Sequence, residues 1–267
     1  MNDPALFERA EKAGLKVDIV DGIGRLVLDR GKGNRFSHAL IAQWAEVARA
    51  LSDLPDLRVV VLTAEGPDFS FGADLTDSET ANRVAGGHEA RQAFAALGQQ
   101  ALDAWAALPV PTLAAGKGRI IGAGACFFCT ADFGFAPSDA VVQFPEVDRG
   151  MHLSWGVIPR LVARYGLPHA MNLAMLGEPV ACVDLPQPPL HIEGDPVARA
   201  EDLARKLSRK PPLAVRAIKR TLTETASLLQ AAAARDAQSF ADTVGSADFA
   251  EAMAAWFEKR PPQFTGR

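Results

Sequence analysis

The sequence predicts an α/β domain built from strand–strand–helix units and closed by a helical C-terminal layer. Three observations carry this prediction. Short apolar strands alternate with amphipathic helices through the first two thirds of the chain. One β-branched run reads as a buried strand, and the last third is alanine-rich and helix-forming. At 267 residues the chain suits one large domain able to bury its own core. It divides into a body over 1–195 and a helical region over 196–267.

In chain order, Val17–Ile19 and Leu26–Leu28 flank Asp21-Gly22-Ile23-Gly24, a hairpin signal. Ser37 is placed to cap a helix over Ala39–Leu51, which sets Leu40, Trp44, Val47 and Leu51 on one face at spacings of three and four. Arg58–Thr63 follows as the buried strand, and Ala64–Ala73, rich in Gly, Pro and Asp, as a loop. Thr76–Leu108 is helical in composition, interrupted at Gly86-Gly87 and stopped by Pro109 and Pro111. Thr112–Ala115 is a strand, Gly118–Ala125 a glycine-bearing turn into an apolar helix to Thr130, and Ala131–Phe135 and Ala140–Phe144 further strands. Ala181–Gly194 contains three prolines and is a loop that no regular helix crosses. Leu203–Leu207, Ala214–Leu229 and Ala231–Phe257 are helix-forming, and their apolar positions Leu222, Leu229, Phe240, Val244 and Phe249 must pack on the body or on a neighbouring subunit.

Composition narrows the function classes. A net charge of −4 disfavours a chain-wide basic surface for nucleic acid or anionic membrane. The longest nearly apolar run, the 12 residues Ile120–Ala131, falls short of the roughly 20 a membrane span needs. The first residues lack a basic start followed by an apolar stretch, so no signal peptide is expected. Cys126 and Cys129 form one C-x-x-C without a second pair or a nearby histidine, and apolar neighbours mark them as buried thiols. No metal site is expected, and a reducing cytoplasm is the simplest compartment.

Chemistry has three candidate locations. Phe71-Gly72-Ala73-Asp74-Leu75 and Gly118–Ala125 are glycine turns that follow the two buried strands and lead into helices, whose first N–H groups lack partners. Two such groups aimed at one point make an oxyanion hole, whereas ordinary strand–helix turns also use glycine. Neither turn is a dinucleotide or Walker fingerprint. Glu146, fixed by Pro145 at the end of an apolar strand, is either a desolvated general base or an exposed loop glutamate.

Together, Val59–Leu75, Pro111–Gly150 and the C-terminal Met253–Pro261 resemble the crotonase superfamily, the enoyl-CoA hydratase/isomerase group. The resemblance runs from about Val17 to Arg267, and Ala181–Gly194 departs from it. It implies a crotonase-like spiral of ββα units whose C-terminal helices build homotrimers, often paired into hexamers. It also implies an acyl-CoA thioester as ligand, with coenzyme A as part of the substrate and no separate cofactor. The thioester carbonyl would sit between the N–H groups of Ala73 and Ala123, the latter standing where glycine is more usual.

Hydratases of the group resemble one another in carrying two glutamates. At those positions this chain has Cys126 and Glu146. Adding water is best served by two carboxylates, whereas one base suffices to move a proton along an enolate. The resemblance therefore favours Δ3–Δ2 enoyl-CoA isomerisation by Glu146. Hydratase, thioesterase or decarboxylase chemistry are the alternatives, and a non-catalytic acyl-CoA-binding homologue is the reading from a different class. A thiol in an apolar helix is a poor base, so Cys126 reads as packing. His152 is titratable near neutrality but reads as structural, and His88 and Glu89 could line the acyl pocket if the helix breaks beside them. For CoA phosphates the resemblance points to Lys259, then Arg30, with Lys32, Arg35 and Arg260 nearby. The acyl pocket is expected from the Ser78–Ala107 region.

Overall fold

The hairpin forms from β1 (Leu15–Val20) and β2 (Ile23–Leu28). Its turn is the pair Asp21-Gly22 alone, with φ of 54° and 74°, while Ile23 and Gly24 already pair in β2. Positive φ at both central residues matches the twist of the strands. The computed structural model describes residues 4–31, 33–186, 190–191, 194–226 and 236–265. An N-terminal helix that the sequence reading omitted, α1 (Pro4–Lys12), precedes the hairpin and packs Leu6 and Ala10 into the core.

Helix α2 (His38–Ser52) starts where Ser37 Oγ accepts the Leu40 N–H at 3.3 Å, and its predicted face is buried. Strand β3 (Val59–Ala64) is buried along its whole length, as a strand covered on both faces must be. Gly86-Gly87 separates α3 (Ser78–Ala85) from α4 (His88–Ala106). Then come β4 (Thr112–Ala115), β5 (Arg119–Ile121), α5 (Ala123–Thr130), β6 (Phe133–Ala136) and β7 (Val141–Gln143).

Strand β5 corrects the sequence reading, which treated this stretch as a turn. Three residues are too few to show a period, and the partner strand lies about twenty positions further on. Ile121 pairs with Gln143 in parallel. The segments after Gly150 were also unread: α6 (Val157–Tyr165) and α7 (Leu167–Leu176) fill them. Short pieces occupy the proline-rich stretch, β8 (Val180–Ala181), a 3-10 turn over Cys182–Asp184, and β9 (Leu190–His191). Among the described residues no helix crosses it.

One sheet has the order β1-β2-β3-β4-β6-β9, parallel except for the hairpin, and a second has the order β5-β7-β8. Successive strands alternate between them: β4 lies in the first and β5 in the second, then α5, then β6 in the first and β7 in the second. That alternation is the expected ββα spiral. Isolated bridges Ser70↔Ile120 and Phe36↔Ala73 continue it into the loop after β3.

The C-terminal helices are α8 (Pro196–Ser208), α9 (Pro212–Ala226), α10 (Asp236–Val244) and α11 (Ala247–Glu258). The predicted helix Ala231–Phe257 is thus broken at Gly245-Ser246, where Ser246 Oγ accepts the Phe249 N–H at 3.1 Å and caps α11. Leu229 and Ala231 lie outside the described residues. Apolar residues from these helices pack on the body: Ala200 and Ala204 of α8 join Val59, Val61, Leu113 and Phe135 on one face of the large sheet, Phe240 and Val244 of α10 join the main core on the other, and Phe249 of α11 packs against that core. Leu222 does not pack; it is 67% exposed on α9, beside exposed Leu213 and Ile218.

Candidate active site

Three backbone segments converge because the small sheet ties them together. Ser70 N–H donates to Arg119 O at 3.1 Å and Ile121 N–H to Ser70 O at 2.8 Å, so the first glycine turn runs beside β5. Gly122 N–H donates to Gln143 O at 2.9 Å, which brings the end of β7, and Glu146 after it, to the start of α5. Close approach demands glycine at two places. A Cβ on Gly124 would lie 2.4 Å from Ser70 Cβ, and Gly122 adopts φ 52°, ψ −120°, a region open essentially to glycine alone.

The result is a juxtaposition of the two turns. A Cβ on Gly72 would stand 3.4 Å from Ala123 N. Phe36 N–H donates to Gly72 O at 2.9 Å and Asp74 N–H to Phe36 O at 2.8 Å, which leaves the Ala73 amide out of that pairing. Ala123 is the first residue of α5, where an amide has no intrahelical acceptor. Both alanines line one cavity with Cys126 and Glu146. The cavity measures about 440 Å³ with its open mouth, and its remaining walls are mostly apolar.

Glu146 opens a 3-10 turn over Val147–Arg149. Its carbonyl accepts the Arg149 and Met151 amides at 3.0 and 2.9 Å, fixing the backbone. The side chain lies over Gly122, where an added Cβ would come within 3.0 Å of Oε1, and Oε2 is buried without a hydrogen-bond partner. Burial pushes this carboxyl up to about 7, against the weaker opposing pull of its own backbone amide and of Arg149. A carboxyl poised near neutrality in a cavity can both take and return a proton.

The other predicted residues separate. Cys126 reaches the cavity, buried in α5 and outside any disulfide. His152 does not line it: its amide donates to Thr243 Oγ1 at 2.8 Å, and burial lowers the imidazole pKa. The helix break beside His88 and Glu89 is present, yet neither lines the cavity, because His88 turns toward Asp242 on α10, 3.8 Å away. Arg30 is engaged within the fold. It donates to Asp74 Oδ2 at 2.7 Å and to Arg35 O at 2.9 Å, bracing the turn that carries Ala73. Burial pushes the Asp74 carboxyl up, but hydrogen bonds from Thr76 and Arg30 outweigh it and hold the carboxyl below its usual range. Lys259 is exposed at the end of α11 with φ 54°, and Arg260 is engaged by Glu251 and Glu258. Lys32 lies outside the described residues.

The predicted Ser78–Ala107 region contributes Val84 and Phe94 to the walls. Ser154 and Trp155, polar groups that follow Pro145-Glu146-Val147 in the sequence and are open to recruitment there, line the cavity; sequence reasoning missed Leu75, Met151 and Leu153, and it missed Phe240, which reaches the cavity from α10. Among the described residues no helix is long and apolar enough to cross a membrane, and no group of His, Cys, Asp or Glu could hold a metal ion.

Comparison with known proteins agrees with this geometry. The enoyl-CoA hydratase/isomerase family model matches residues 18–267. The 2,3-dehydroadipyl-CoA hydratase of Escherichia coli K12 is 28% identical over 242 residues, which cover 88% of this chain and 91% of that protein. The enoyl-CoA isomerase/hydratase fer4 of Mycosarcoma maydis is 29% identical over 262 residues, 92% of this chain and 93% of that one. Among solved structures, an enoyl-CoA hydratase/isomerase from Pseudoalteromonas atlantica T6c superposes with a TM-score of 0.80 at 25% identity, covering 94% of this chain and all of that one. One from Mycobacterium paratuberculosis gives 0.82 at 24% identity, over 91% and 98%, and bears on the fold. The resemblance read from the sequence is borne out, and the chain belongs to the enoyl-CoA hydratase/isomerase family.

Proposed function

We propose that the chain is an acyl-CoA enzyme in which Glu146 alone moves a proton along a thioester enolate, most simply as a Δ3–Δ2 enoyl-CoA isomerase. The observation that supports this most is Glu146 itself, buried, lacking a partner at Oε2 and held near neutrality, with Cys126 as the other protonatable side chain reaching the cavity from α5. In the proposed reaction the carboxylate removes a proton from C2 of a 3-enoyl thioester. The electron pair delocalises into a dienolate whose oxygen carries the charge, and the N–H groups of Ala73 and Ala123 stabilise that oxygen. The new carboxylic acid then returns the proton to C4, and the double bond comes to rest between C2 and C3.

Coenzyme A enters as part of the substrate, with Lys259 as a phosphate ligand and no separate cofactor. Exposed Leu213, Ile218 and Leu222 on α9, with Trp256 and Phe257 on α11, support assembly into homotrimers or hexamers. No membrane or nucleic-acid partner and a cytoplasmic location belong to the same reading.

Incubation with a 3-enoyl-CoA in D2O tests it. Double-bond migration with deuterium incorporation is expected, and Glu146→Gln should lower the rate by roughly 10²–10⁴. Hydration is the second reading, favoured by relatives such as the E. coli protein that are named hydratases. Rapid hydration of crotonyl-CoA, unaffected by Cys126→Ala, would replace isomerisation with hydration by a single carboxylate.

A further inference from the structure

Trp155 is the most unusual residue in the cavity wall. It adopts φ 65°, left-handed backbone that a bulky L-residue rarely takes, and it is buried. Its indole lies flat against α4 at Gly98. A Cβ on Gly98 would stand only 2.0 Å from Trp155 Cε2, and the three atoms nearest to it all belong to the same indole. A glycine within the 19-residue helix α4 weakens that helix, so both partners of this contact carry a local cost. Edge-on contacts to Phe94 and Phe127, with ring centroids 6.3 and 6.5 Å away, fix the ring's position. Such paired costs persist where the position matters to function.

We infer that Trp155 is the specificity-determining residue of this site, closing the acyl cavity and restricting the enzyme to short acyl chains. The inference rests on the acyl-CoA reading above. Trp155 lines the same cavity as Glu146 and the two alanines, in edge contact with Phe94. A chain whose thioester lies at the alanines meets an indole that cannot retreat, since Gly98 and Phe127 back it. Removal of the indole opens space between α4 and α5 as far as Gly98.

The test is binding of a CoA-ester series, from butyryl-CoA to palmitoyl-CoA, by titration calorimetry. It compares wild type with Trp155→Gly, which tolerates the backbone conformation, and with Trp155→Gly combined with Gly98→Ala. The double variant restores helix propensity in α4, since the three atoms nearest the added methyl group all belong to the Trp155 indole that it removes. Wild type should prefer butyryl-CoA. Both variants should raise the octanoyl-to-butyryl affinity ratio by about tenfold or more, the scale on which a pocket discriminates added methylenes. An unchanged ratio in folded variants overturns the inference, as does wild type binding palmitoyl-CoA as tightly as butyryl-CoA, a result that needs no variant. Wild type that binds no CoA ester in the series removes the acyl-CoA reading itself, and this inference with it.

Discussion

Replacing Glu146 by Gln should make the protein gain stability relative to wild type as pH rises while it slows proton transfer, because the same burial that tunes the carboxyl makes its charge costly. The folded-state pKa is raised from 4.5 to about 7. Between these values the folded protein binds the proton that the unfolded chain has already released, so stability falls as pH rises through that window. At about 1.4 kcal/mol per pH unit, the ionised group costs the folded state about 3 kcal/mol above pH 8 and almost nothing below pH 4. Glutamine removes that cost but leaves a buried amide, a penalty of about 1–3 kcal/mol that does not vary with pH. The informative quantity is therefore the change in the difference between variant and wild type. Urea unfolding of both proteins near pH 5 and near pH 8.5 should show the variant gaining about 2–3 kcal/mol relative to wild type across that interval. Proton-transfer activity of wild type should rise with pH through about 7 over the same range. A stability difference that stays flat with pH would refute a carboxyl held protonated by burial, whatever the activity showed.

Two further perturbations probe the frame around the site. Gly122→Ala places a methyl 3.0 Å from Glu146 Oε1 on a backbone at φ 52°, ψ −120°, so it should cost about 1–3 kcal/mol in denaturant melts and lower turnover at least tenfold, with CoA-ester binding weakened less. Lys219→Met removes a buried ammonium that donates to Asp132 Oδ2 at 2.7 Å and to Val110 O at 2.9 Å, anchoring α9 to the segments that lead into β4 and β6. Thermal melts should show a loss of about 2–3 kcal/mol, below the full value for a buried pair because Asp132 is a third exposed.

The parts of this molecule legible in the sequence are those whose signal is local. Ser37 caps α2 with its own side chain, β3 is a run of β-branched residues, and Gly86-Gly87 breaks a helix in place. Glu146, Ala73 and Ala123 were reached because ordered motifs surround them. What escaped depends on partners distant along the chain. Strand β5 exists as a strand only through β7, and Phe240 reaches the cavity only because α10 folds back on α4. The orientation of His88 has the same origin, since α10 brings Asp242 within 3.8 Å of it. The pairing of Arg30 with Asp74 is equally invisible in the sequence, because 44 positions separate them.

Four locally unfavourable choices meet at the cavity. Gly122 sits in a backbone region closed to other residues, Trp155 in left-handed backbone, Gly98 within a long helix, and Glu146 carries a carboxyl near 7 with a buried oxygen lacking a partner. Each departs from what local backbone and burial preferences alone would favour. All four lie on or against one cavity, and they are interlocked: Gly122 makes room for Glu146, and Gly98 makes room for Trp155. These interlocked costs support the proposed site on physical grounds alone, and in that reading one pair bears on the proton and the other on the acyl chain.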